Sequence, residues 1–195
     1  MTVVYETHTG DAVGHVLDDV ARLRIAVFRD WPYLYDGDLA YERDYLAEFA
    51  TSPGAIVVTA RDGARIVGAA TGSPLADHAE DFADAFAGSG IDIGDVFYCA
   101  ESVLLPDYRG QGAGHRFFHL REAQGRALGA TYCAFCAVVR PEDHPARPTG
   151  YVPLDGFWKK RGYDKLSGAV AHFSWQDVGK GQADAKPLQV WIRRL

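Results

Sequence analysis

Cysteine is scarce in this chain: Cys99, Cys133 and Cys136 are the only three among 195 residues. An odd and small number excludes a disulfide framework and points to a reducing compartment, the cytoplasm. Long apolar runs are also missing. None approaches the roughly 20 residues that a membrane span needs. The start, Met1-Thr2-Val3-Val4-Tyr5-Glu6, lacks the basic and apolar segments of a secretory leader, so neither a membrane nor export is expected. There is no basic excess either. A formal net charge of −6 argues against a nucleic-acid partner, which needs a basic surface to neutralise phosphates, but leaves room for a local pocket for one small anion. No Ser or Cys stands in a nucleophile elbow, and His115, His119 and His144 have no triad context, which excludes a hydrolase.

A metal is not expected. Cys133-Ala134-Phe135-Cys136 has the gap of half a zinc site, yet no second cysteine pair exists and His144, the one nearby candidate, is followed by Pro145. Two small hydrophobes in a buried strand is the simpler reading.

What the chain does have is an ordinary globular composition, 48% apolar and 24% charged. Its length suits one domain over 1–195 with a substantial core. Residues 3–7 read as a first strand. A helix capped by Asp11 fits 11–29, with Val13, Val16, Leu17, Val20, Leu23, Ala26 and Val27 on one stripe, ended by Trp31-Pro32. A second helix fits 39–50. Strands at 55–60 and 65–71 flank a glycine hairpin turn. A helix over 77–87, a long apolar strand over 95–105 and a helix over 112–128 follow, the last with Phe117, Leu120, Ala127 and Leu128 facing inward. A strand at 131–139, a proline-rich loop over 140–153, a short helix at 156–161 and strands at 170–175 and 188–193 complete the chain. The sum is a mixed α/β sheet covered by helices.

The informative stretch is Val103-Leu104-Leu105-Pro106-Asp107-Tyr108-Arg109-Gly110-Gln111-Gly112-Ala113-Gly114-His115. A buried strand runs into a glycine turn that opens directly into a helix. Helix starts leave backbone N–H groups without partners and carry partial positive charge, and glycines let a phosphate approach the backbone closely. A dinucleotide fingerprint would need a third glycine where His115 stands. A P-loop would need Gly-Lys-Ser/Thr where Gly114-His115-Arg116 stands.

The stretch resembles the cofactor motif of the GNAT superfamily of N-acetyltransferases, Arg/Gln-x-x-Gly-x-Gly/Ala, through Arg109, Gly112 and Gly114 with the Pro106-x-Tyr108 lead-in. Phe157-Trp158-Lys159-Lys160-Arg161-Gly162-Tyr163 is similar to the family's closing Phe-Tyr-x-x-x-Gly-Phe element, and the order of elements matches over most of the chain. The resemblance implies a mostly antiparallel sheet of about six or seven strands flanked by helices. It implies acetyl-coenzyme A as co-substrate, its pyrophosphate on the amides of Arg109, Gly110, Gln111, Gly112, Ala113, Gly114 and His115. The pantetheine arm would run beside Ser102, Val103 and Leu104, and Trp158 would border the cofactor. Lys159, Lys160 and Arg161 either reach the nucleotide phosphates or simply complement a helix end.

Acyl transfer to an amine needs a neutral nucleophile, hence a base or ordered water. Glu101 lies in the apolar run 96–105, where an unpaired carboxylate is costly. The resemblance implies a glutamate base on this strand; a salt bridge with an arginine is the competing reading. Many family members use a tyrosine as proton donor where this chain has Trp158, which leaves Tyr151 or Tyr98 to take that role, or solvent. Tyr33, Tyr35 and Asp36, in the aromatic and acidic segment 31–42, suit a cationic small-molecule amine. A non-catalytic coenzyme A sensor and a transferase of longer acyl groups are the alternatives. Oligomeric state, a homodimer included, is open at this level.

Overall fold

The computed structural model describes residues 3–195. Strand β1 (Val4–Thr9) leads through a 3-10 turn into α1 (Leu17–Phe28), and α2 (Leu39–Phe49) follows. Strands β2 (Ile56–Asp62) and β3 (Arg65–Pro74) form the hairpin, and α3 (Ala79–Phe86) precedes β4 (Val96–Tyr98) and β5 (Ser102–Leu104). Then come α4 (Ala113–Ala127), β6 (Tyr132–Val138), α5 (Asp155–Lys160), β7 (Asp164–Gln176) and β8 (Ala183–Arg194). The result is a mixed, mostly antiparallel sheet of eight strands in the order β1-β2-β3-β4-β6-β8-β7, with β5 also on β3. Only β4 and β6 run parallel, and α4 supplies the long crossover that a parallel pair requires.

The eighth strand comes from a break. Residues 95–105 read as one apolar strand, but Cys99, Ala100 and Glu101 part it into β4 and β5. The two pieces serve different neighbours. Tyr98 pairs with Ala134 of β6, whereas Ser102 pairs with Ala70 of β3. Arg121 of α4, fully buried, holds the break open from one side. Its guanidinium donates to the carbonyls of Thr71 (3.0 Å) and Glu101 (2.9 Å) and to Ser102 Oγ (2.8 Å).

Helices cover both faces. On one, Val13, Val16, Val20, Leu23 and Leu46 of the α1–α2 layer pack on Val57, Ala69 and Val103. On the other, Phe117 and Phe118 of α4 meet Val58, Phe97, Phe135 and Trp191. The inward face of α4 also differs from its apolar pattern. Ala127 and Leu128 are exposed, and Arg121, Glu122 and Gly125 are buried instead, because each charged side chain has partners and Gly125 lies where a Cβ would come within 2.9 Å of Phe97. At the start of α1, Asp11 makes no cap; a 3-10 turn over Gly10–Val16 precedes the helix. Asp38 does cap α2, its Oδ1 accepting from the amides of Ala40 and Tyr41 at 3.0 Å each.

Candidate active site

Two features meet at the break, one on each face of the sheet. The first is the turn into α4. Gly110 and Gly112 have φ of +75° and +88°, a left-handed geometry that costs any other residue strain, and a Cβ at Gly112 would meet nothing within 4 Å. Arg116 N–H makes the first intrahelical bond, to Gly112 (3.2 Å). Among the described residues, the amides of Gly110, Gln111, Gly112, Ala113, Gly114 and His115 donate to no protein acceptor. The Arg109 amide is spent on Pro106 (3.0 Å), and its side chain donates to the Leu104 carbonyl (3.1 Å). The Gln111 side chain ties the turn back to Asp107 (3.1 Å). His115 stacks edge-on to Phe157 and lies 3.2 Å from Arg161. Upstream, β5 is paired with a strand on one edge only, so Ser102, Val103 and Leu104 lie on a strand whose other edge, apart from the Leu104 carbonyl held by Arg109, is open beside the turn. Six open amides on a helix start and an unpaired edge leading to them fit a diphosphate with a peptide-like arm.

The second feature is a cavity of about 390 Å³ on the opposite face, framed by α1, α2, α3 and the end of β7. A cavity of that size suits a small molecule. Glu101 lies at its floor, 7% exposed, with Arg24, Tyr33, Tyr35, Tyr45 and Tyr98 around it. Asp36, Asp38 and Asp81 line it nearer solvent. Glu101 does make a salt bridge: its Oε2 is 2.8 Å from Arg24 Nη1, and Arg24 Nε donates to Glu42. Burial alone would lower the Arg24 pKa, but Glu101, Tyr45 and Glu42 hold it above its ordinary value.

Burial likewise raises the pKa of Tyr33, Tyr35, Tyr45 and, most of all, Tyr98, with Cys136 adding to the effect at Tyr98. These phenols stay protonated at neutral pH and cannot accept a proton. The cavity-lining groups with proton-accepting atoms are then Glu101 on the floor, His78, and Asp36, Asp38 and Asp81 nearer solvent.

The geometry brings together Glu101, Tyr33, Tyr35 and Asp36 in the cavity. Tyr151 does not line it: the 140–153 loop packs on Trp31 through His144 and Tyr151, whose ring is edge-on to that indole at 5.9 Å. Trp158 sits on the α4 face between Phe135 (5.0 Å) and Trp191 (5.1 Å). Lys159 and Lys160 are exposed, whereas Arg161 is tied to Glu122 at 2.8 Å. Cys133 and Cys136 face opposite sides of β6, as strand positions an odd number of residues apart must. The sulfur next to Cys133 is that of Cys99, 3.3 Å away. The sequence reading missed Arg24, Tyr45 and Arg121. Two left a signal: Arg24 is four residues from Val20 and from Phe28, and Arg121 is four from Phe117, so both lie on buried faces.

Among curated proteins nothing matches the chain. Solved structures do. A ribosomal-protein-alanine N-acetyltransferase from Brucella melitensis is similar at 12% identity and TM-score 0.61, over 98% of this chain and 99% of that one. Drosophila melanogaster polyamine N-acetyltransferase, at 15% and 0.61, covers 98% and 100%. An aminoglycoside 6'-N-acetyltransferase complexed with coenzyme A, at 15% and 0.60, covers 100% and 97%. Such identities establish the fold alone, but the acetyltransferase (GNAT) family model matches residues 20–163, from within α1 through α5 to Tyr163, and the chain belongs to that family.

Proposed function

We propose that the protein transfers an acetyl group from acetyl-coenzyme A to the primary amine of a small cationic molecule by direct attack. The observation that carries this reading is a buried carboxylate, Glu101, at the floor of an aromatic cavity, next to the strand break that separates it from the open amides of α4. The amides of 110–115 would hold the pyrophosphate, and the free edge of Ser102, Val103 and Leu104 the pantetheine arm. Bound there, acetyl-coenzyme A supplies an activated thioester carbonyl.

The residues of the chain do the rest. The faces of Tyr33, Tyr35 and Tyr45 attract a cationic head, and Asp36, Asp38 and Asp81 draw it to the mouth. Glu101 takes a proton from the ammonium, which leaves a lone pair for attack. The N–H groups of Cys99, Ala100 and Glu101 are spent on Ala134, Thr71 and Thr71 Oγ1, so a backbone N–H on the open edge that begins at Ser102 would meet the oxyanion. Tyr98, unlike Tyr151, lines the same cavity as Glu101. Its raised pKa makes it a poor acid towards a thiolate, whose thiol ionises near ~8.5, so the departing sulfur takes its proton from solvent.

Thiol release from acetyl-coenzyme A, measured across a panel of primary amines that includes phenethylamine and 1,4-diaminobutane, tests this. The expected result is saturable turnover with at least one amine, falling on the order of 10²–10⁴-fold in Glu101→Gln. Tight coenzyme A binding with no turnover on any amine would identify a sensor instead. Faster turnover with a longer acyl chain would move the assignment to that chain.

A further inference from the structure

Resting on the acetyltransferase reading, we infer that Arg24 and Glu42 are positioning residues for Glu101. One guanidinium shared between two buried carboxylates aims the base at the cavity and leaves the floor one positive charge short, a place the acceptor's ammonium fills.

The three side chains come from three elements: Arg24 from α1, Glu42 from α2 and Glu101 from the break after β4. The side chain of Arg24 is 12% exposed, that of Glu42 0% and that of Glu101 5%. The guanidinium donates through Nε to Glu42 Oε2 and meets Glu101 Oε2 through Nη1 at 2.8 Å. It is clamped between the rings of Tyr45 (4.6 Å) and Phe28 (5.2 Å), which fixes its plane. A fork of this kind sets direction as well as charge, which an ammonium cannot do.

The charges do not balance. Two carboxylates face one cation. Of the other titratable groups lining the cavity, Tyr33, Tyr35, Tyr45 and Tyr98 are phenols that burial keeps neutral, His78 is tied to Ser73 at 2.9 Å, and Asp36, Asp38 and Asp81 add carboxylates nearer solvent. Glu42 Oε1, fully buried, meets no donor at hydrogen-bond distance, although the Tyr35 phenol lies close enough for Glu42 to raise its pKa. An uncompensated buried charge is costly, and the cost is relieved by bringing in a cation. Glu101 lines the cavity and Glu42 does not, so the cation arrives at Glu101. In the ensuing transfer the N–H bond of the ammonium breaks and its proton passes to Glu101, the freed pair forms the bond to the thioester carbon, and the C–S bond breaks; the nitrogen loses its second proton to solvent, and solvent protonates the departing thiolate. Glu42 never touches the substrate. It keeps Arg24 from collapsing fully onto Glu101 and quenching its basicity.

Glu42→Gln removes the excess charge while keeping the shape. With phenethylamine and 1,4-diaminobutane as probes, the KM for the amine is expected to rise about 10-fold and kcat to fall, with the acidic limb of the kcat–pH profile displaced and the Kd for coenzyme A unchanged. A structural role alone would reduce the folded fraction but leave KM and the profile of the folded remainder as they were; that result overturns the inference. Arg24→Lys, which keeps the charge and loses the fork, is expected to lower kcat more than it raises KM. Should both variants fail to fold, calorimetry of the wild-type coenzyme A complex with phenethylamine in two buffers of different ionisation enthalpy decides. Binding without proton release supports the inference, and release of a full proton at neutral pH overturns it. Absence of turnover by the wild type on every amine is a different outcome, which removes the acetyltransferase reading itself.

Discussion

Arg140 grips Asp177 with two hydrogen bonds of 2.8 Å, one from each terminal nitrogen of its guanidinium, while its remaining donors reach the carbonyls of Pro32 and Tyr33. The pair joins three segments: the 140–153 loop, the aromatic turn after α1 and the end of β7. Val178 N–H to the Leu34 carbonyl (2.7 Å) and Asp36 N–H to Gln176 (2.9 Å) continue the seam. The cavity wall carrying Tyr33, Tyr35 and Asp36 is therefore held from behind.

Removing Arg140 leaves Asp177 with Lys186 alone, 3.5 Å away, so its charge stays partly compensated and the loss lies at the lower end for breaking a buried pair, about 3 kcal/mol. Arg140→Met is expected to lower stability by that order in urea melts and to raise KM for the amine. The Kd for coenzyme A, read by calorimetry, should stay within about 2-fold, because the α4 turn lies on the other face.

Acid should act through Asp177. Burial raises its pKa, but Arg140 and Lys186 outweigh that and hold it below the ordinary carboxylate range. A depressed folded pKa contributes stability that is complete above the unfolded value, near ~3.9, and is lost as pH falls through the folded one. Unfolding measured below about pH 4 should show this loss in the wild type. Asp177→Asn should start less stable at neutral pH and show a shallower decline in acid; an equally steep decline would assign it to other groups.

Gly112→Ala places a Cβ in open space, so strain at φ +88° is its only cost, about 1–2 kcal/mol. If the turn relaxes to a right-handed geometry, its amides no longer converge. Coenzyme A affinity is expected to fall about 10-fold, with the melting temperature lowered by a few degrees.

Arg121→Met should unfasten the break. Thr71, Glu101 and Ser102 would lose a charged donor inside the core, and hydrogen bonds to charged groups contribute about 1.5–3 kcal/mol each. Expected are a stability loss of that order or more and weaker coenzyme A binding, since Ser102 begins the free edge.

Much of this molecule is legible along the chain because its signals are local. The α4 turn announces itself in Gly110, Gly112 and Gly114, and of the stripe read over 11–29, Val13, Val16, Val20 and Leu23 are buried and Leu17 and Val27 half-buried, whereas Ala26 is exposed. The break at Cys99–Glu101 was not legible. Nothing in an apolar run states that its two halves choose partners 64 residues apart from each other, Ala70 and Ala134. Glu101 stood out as a carboxylate among hydrophobes, yet its partners come from α1 and α2, and no spacing rule links Arg24 or Glu42 to it. Tyr151 was chosen for its chemistry, but the loop that carries it turns towards Trp31.

The sheet itself separates the two proposed binding places, with the helix-start amides on the α4 side and the acidic cavity on the α1–α3 side. Each reactant then has its own doorway, and neither needs to leave before the other arrives. Initial-velocity lines at varied amine and thioester should therefore intersect rather than run parallel, the kinetic mark of a ternary complex.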